Sequence, residues 1–130
     1  MKSKIILVTL LSSVLTLASG CAVLVVGAAA GAGAGAVVWV RGELRSSEAV
    51  SFDKAWDASQ AGLKDLEYAV TEKQKDATEA KLTARGAGDK KIQVTLVKQS
   101  GTVTEIRIRV GTFGDEKISH QILDKIKNHI

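Results

Sequence analysis

The chain has 130 residues, 18 basic against 14 acidic side chains for a formal net charge of +4, 45% hydrophobic residues, one cysteine and no proline. A chain this short holds one small domain, and a lone cysteine excludes an intrachain disulfide, so packing and secondary structure must hold the fold. Lys2 and Lys4 lie in the first twenty residues, which carry no acid; without these two lysines the 18 basic groups fall to 16 against 14 acids, a net +2, and charge gives no argument for a nucleic-acid partner.

Residues 1–20 have the parts of a secretory signal peptide: Lys2 and Lys4 in a positive leader, an apolar core at 5–17, and the small residues Ala18-Ser19-Gly20 before Cys21. The predicted cut falls between Gly20 and Cys21. A cysteine there resembles the lipobox of bacterial lipoproteins, in which the thiol is acylated and becomes the mature N-terminus. Leu17 stands one place further from Cys21 than the commonest lipobox leucine, with Ala18 in its place. A free thiol is a liability in an oxidising compartment, and acylation removes it. Each buried methylene contributes roughly 0.8 kcal/mol, and more than one acyl chain makes a stable anchor. The mature chain is therefore expected to stay on a membrane through acyl chains on Cys21. Export also argues against a nucleic-acid partner. Ala22, rather than Asp, follows the cysteine. That resembles the outer-membrane sorting pattern of Gram-negative lipoproteins and predicts a domain facing the periplasm.

Residues 22–40 carry no charge, and Gly27, Gly31 and Gly35 recur at every fourth position. As a helix the segment would span about 28 Å, near the hydrocarbon thickness of a bilayer, with the glycines forming a stripe for close helix contact, a glycine zipper. Gly costs about 1 kcal/mol per residue in an aqueous helix, and the same composition makes a spacer leading into a first strand at 36–44. Both readings stay open. The organisation expected is a signal peptide at 1–20, a lipidated Gly/Ala-rich segment leading into a first strand at 21–45, and a folded domain at 46–130.

Ser47 and Ser51 are candidate caps, with Asp53 in the first turn, for a helix whose apolar stripe runs Phe52, Trp56, Ser59, Leu63, Leu66 and Val70. Three strand-like segments follow. Residues 77–85 alternate Glu79, Lys81, Thr83 and Arg85 with Ala80, Leu82 and Ala84; after a turn at 86–89, Ile92, Val94 and Leu96 alternate with polar neighbours; after a turn at 99–101, so do Ile106, Ile108 and Val110. A last helix begins near Asp115, a candidate cap, and carries Ile118, Ile122, Leu123 and Ile126 on one side. Two amphipathic helices and a meander with one apolar face predict an α+β two-layer sandwich. Its antiparallel sheet has three to four strands, both helices lie on one face, and the order is β-α-β-β-β-α.

The lipobox, the Gly/Ala-rich segment, the helix and three strands, and the ending IRIRVGTFGDEKISHQILDKIKNHI together resemble the small bacterial lipoproteins of the domain of unknown function 3568. The passage at 108–115 is the most specific part of that likeness. It implies an envelope location and this fold. No activity is assigned to the family, so it implies no chemistry.

The residues themselves offer little chemistry. His120 and His129 are nine apart, half a turn out of phase on one helix, and cannot share a metal from one helix face. Ser119 and His120 are adjacent, so their side chains diverge and form no catalytic pair. The Gly-rich run lacks the Lys-Ser/Thr ending of a phosphate loop. No catalytic residue, metal ligand or cofactor is nominated. On the wet face of the expected sheet, Lys81, Arg85, Lys91, Arg107 and Arg109 form a basic patch opposed by Glu79 and Glu105, a candidate site for an anionic lipid or an acidic protein. Alternating charges also keep any exposed sheet soluble. The expectation is a lipid-anchored envelope protein with a binding or structural domain and no catalytic activity. The alternatives are a membrane-associated homo-oligomer held by Gly27, Gly31 and Gly35, and a hydrolase with an unrecognised site.

Overall fold

The structure, a computed structural model, describes residues 36–130. Gly20, Cys21, Gly27, Gly31 and Gly35, the signal peptide, and 22–35 of the segment read as a membrane helix or a spacer over 22–40 lie outside the described residues, while 36–40 are strand and not the end of a helix. The elements are β1 (Ala36–Val40), β2 (Glu43–Glu48), α1 (Phe52–Asp65), β3 (Ala69–Lys75), β4 (Glu79–Arg85), β5 (Lys91–Lys98), β6 (Thr104–Val110) and α2 (Glu116–Lys127). The strands form one antiparallel sheet in the order β1-β2-β6-β5-β4-β3. No helix among the described residues is long and apolar enough to cross a membrane.

The α+β class and the single helical layer follow the periodicity of the sequence, but the sheet has six strands instead of three to four. One difference lies at 36–44, expected as one strand. The backbone reverses at Arg41 and Gly42, both with positive φ (51° and 79°), and Val40 pairs with Glu43. Positive φ at both central residues is what a two-residue I′ hairpin turn requires. The other difference is β3, whose sequence AVTEKQK is polar on both faces. It is an edge strand with a register shift between Val70 and Glu72. Its inward side chains overhang the helical layer: Lys73 Nζ donates to Gln60 Oε1 at 2.7 Å. Lys75 Nζ reaches Asp53 Oδ1 at 2.7 Å while lying 5.7 and 5.6 Å from the Phe52 and Trp56 ring centres.

Ser51 caps α1, its hydroxyl accepting from Lys54 N at 3.3 Å, whereas Ser47 sits within β2. The helix ends earlier than the apolar stripe suggests. Tyr68 N donates to Leu63 O and Glu67 N to Lys64 O, with Glu67 at φ 59°, so a Schellman-type cap stops α1 and hands Val70 to β3. Asp115 caps α2 as expected, accepting from Ile118 N at 3.0 Å. The residues expected to face inward on the three segments of the meander are buried beneath both helices, with Leu44, Leu63, Ile122, Leu123 and Ile126. Strand β2 turns polar groups inward as well. Ser46 Oγ donates to the buried Glu48 carboxylate, and Lys127 Nζ lies 3.7 Å from it.

The helices meet at Gly62. A Cβ there would lie 2.8 Å from Ile126 N and 3.0 Å from its Cα, backbone atoms that cannot swing aside. Gly62→Ala gains about 1 kcal/mol of helix propensity and pays roughly 1–3 kcal/mol in overpacking. We expect a net loss of stability of about 1 kcal/mol in urea unfolding; an increase would mean that α2 shifts away from α1 at little cost.

Candidate functional site

Strand register places the five nominated cations on the sheet face away from the helices. Lys81 stands opposite Thr95, which stands opposite Arg107; Arg85 faces Lys91, and Arg109 faces Gln93. Arg45 of β2 joins them directly across from Arg107, giving a row of Val38, Arg45, Arg107, Thr95, Lys81 and Gln74 across all six strands. Arg45 was not among the nominated residues. Once 43–48 is recognised as a strand, its alternation would have found it.

The cations differ in what surrounds them. Directly opposed like charges repel, and Arg45 and Arg107 resolve this by turning onto acids two residues back: Arg45 Nε lies 2.8 Å from Glu43 Oε1, and Arg107 pairs with Glu105. Glu105 also accepts from Gln99 at 3.0 Å. Arg109 Nη2 donates to the Arg41 carbonyl at 3.0 Å. Arg85 Nη1 donates to Asp89 O at 3.2 Å, with the Asp89 carboxylate 4.0 Å from Arg85 Nε. Among the described residues Lys81 and Lys91 have no acid within 4.0 Å. Glu43–Arg45 and Glu105–Arg107 thus form an internally paired ladder, and positive charge without an acid partner among the described residues remains at Lys81 on β4, Lys91 on β5 and Arg109 on β6.

The last turn before α2 lies at the same end of the sheet as Lys91 and the Arg41-Gly42 turn. Gly42 and Gly114 meet backbone to backbone: a Cβ on Gly42 would lie 2.4 Å from Phe113 O, and one on Gly114 would lie 2.2 Å from Gly42 O. Both have positive φ, so no other residue fits either place without strain. Beside them, Lys90 Nζ lies 3.4 Å from Asp115 Oδ2.

The two histidines are apart and each faces an acid. His129 Nε2 is 2.6 Å from Asp65 Oδ2, and His120 Nε2 is 3.9 Å from Glu116 Oε1. Ser119 is fully buried in the helical layer, its hydroxyl without a hydrogen-bond partner among the described residues. No group of three or more His, Cys, Asp or Glu side chains among the described residues is placed to hold a metal ion. The family described as protein of unknown function (DUF3568) matches residues 4–129 of the chain. Among curated proteins none matches.

Two carboxylates are held below their ordinary pKa of 3.8: Asp115 by the Ile118 N–H and then by Lys90, against some desolvation, and Asp53 by its hydrogen bond and charge contact with Lys75. Because the folded values are the lower ones, the stability they supply is present above the ordinary carboxylate range and is lost as pH falls through the folded values. In thermal unfolding, Asp53→Ala/Asp115→Ala should lower Tm at neutral pH and show a shallower further fall below pH 3.8. An acid limb as steep as wild type would mean that other groups carry it.

Proposed function

The chain belongs to the DUF3568 family, and from that premise we propose that it is a lipid-anchored cell-envelope protein, held by acyl chains on Cys21, whose domain is a binding module and not an enzyme. The observation that carries the reading is the one-sided construction of the domain. Two helices cover one face of the sheet, and the other face carries Arg45, Lys81, Arg85, Lys91, Arg107 and Arg109 against the fewer acids Glu43, Glu79 and Glu105. An anionic partner is what such a face complements, each cation near an anionic surface contributing on the order of 1 kcal/mol. The signal pattern at 1–20, the small residues before Cys21 and Ala22 after it favour an outer-membrane location facing the periplasm.

Expression in a Gram-negative host beside Cys21→Ala tests the anchor. Intact mass should show loss of residues 1–20 and gain of acyl chains, both abolished by the substitution. An unmodified Cys21 with continued membrane association would sink the anchored reading. The face is tested by retention on phosphocellulose at about 0.15 M salt, where exposed charges more than about 8 Å apart are screened. Arg107→Glu/Arg109→Glu should elute well before Lys54→Glu/Lys125→Glu, which makes the same charge change on the exposed sides of the helices. Equal elution of the two folded variants would reduce the face to ordinary solvated charge.

A further inference from the structure

We infer that the end of the sheet carrying loop 111–115 is the surface by which the domain meets an anionic bilayer, Phe113 entering the interface while the cations behind it hold lipid phosphate. This deepens the anchored reading above and rests on it. Between the β4–β5 connection and this loop lies an open hollow of about 720 Å³. Arg85, Lys90, Lys91 and Arg109 line it against only Asp89 and Asp115. Arg85 and Lys91 face each other directly across the strands, an arrangement that repels unless an anion lies between them. Both acids already engage a cation, Asp89 with Arg85 and Asp115 with Lys90, in exposed pairs that contribute little and exchange readily for another anion.

Phe113 is 92% exposed at the rim of this hollow. The reciprocal contact of Gly42 with Gly114 fixes the backbone at the Phe113 carbonyl and Gly114, so the ring is presented just before a braced turn. Val40, 38% exposed, immediately precedes the turn that braces it, and Val38, 53% exposed, adds apolar surface on β1, outside the hollow. A projecting aromatic backed by phosphate-binding cations is the pattern of an interfacial contact. An acidic protein would meet the cations equally well. A ring 92% exposed and seated in no apolar groove, however, suits a fluid acyl boundary better than a shaped partner. Covalent reach does not forbid the pose: positions 21 and 36 are fifteen residues apart, at most about 50 Å, while β1 spans only about 17 Å.

The test is the purified full chain carrying Phe113→Trp, reconstituted into phosphatidylcholine vesicles with and without about 30% phosphatidylglycerol, each lipid with and without brominated acyl chains. Wild type supplies the Trp39 and Trp56 background. The added indole should emit to the blue of a water-exposed one and be quenched by bromine in the anionic vesicles more than in the neutral ones. Adding Lys91→Gln should weaken bilayer engagement by about fivefold, the worth of one cation near an anionic leaflet. Equal quenching in the two lipids would overturn the requirement for an anionic leaflet. A water-like, unquenched indole in both would overturn the whole, and shifts of the Lys91 and Arg109 amide resonances on adding glycerol 3-phosphate would then assign the hollow to a free anion. Acylation of Cys21 is scored by mass, so a lipidated protein with an unquenched indole sinks this inference and leaves the anchor standing.

Discussion

The close approach of α1 to α2 at Gly62 sets the width of the helical layer, and much of the molecule follows from that width. A helix with its side chains is about 10 Å across, so two side by side cover about 20 Å. Six strands at about 4.8 Å spacing make a sheet about 24 Å wide. Two helices therefore roof the four central strands and leave the edges partly bare. On one edge Val37 remains 38% exposed and Trp39 half-buried. On the other, the inward positions of β3 are filled by Lys73 and Lys75, whose stems lie along the layer and whose ammonium groups reach Gln60 and Asp53. A larger residue at 62 would have to widen the layer or lift it from the sheet.

The same geometry gives the two edges different characters. Strand β3 presents Glu72, Lys73, Gln74 and Lys75 and is broken by a register shift, features that discourage pairing with another chain. Strand β1, AVVWV, carries no charge. The outer face has a gradient of its own, from the paired ladder of Glu43–Arg45 and Glu105–Arg107 to the unpaired Lys91 and the exposed Phe113. The end at which the hairpin, the β4–β5 connection and the start of α2 converge is where charge and apolar surface are both left unsatisfied.

How much of this the sequence disclosed depended on where the physical signal sits. Alternation in 79–85, 91–98 and 104–110 is strong because those strands have helices on one side and water on the other, and it placed Lys81, Arg85, Lys91, Arg107 and Arg109 together correctly. Strand β3 escaped because, past Val70, its inward positions meet only the margin of α1 and are filled by Lys73 and Lys75, so no apolar alternation marks it. The end of α1 escaped because Glu67 takes the left-handed cap position that a glycine would have announced. Reading 36–44 as one strand hid the hairpin and, with it, Arg45. Lys90 and Phe113 lie in loops, where periodicity says nothing and only the folded contacts show that Gly42 and Gly114 brace the turn.

The pairing of β2 with β6 also decides the order in which the molecule can assemble. The meander from β3 to β6 closes through short turns, whereas the hydrogen bond from Thr104 Oγ1 to Val50 O joins residues 54 apart. Closing a loop of that length costs about 2 kcal/mol more than closing a five-residue turn. The hairpin of β1 and β2 is synthesised before the other described elements, yet the strand it pairs with is almost the last to appear. Until then β2 keeps a naked edge and Leu44 an uncovered face, so folding waits on the C-terminal third of the chain, and a truncation before β6 removes the partner of β2 and α2 together.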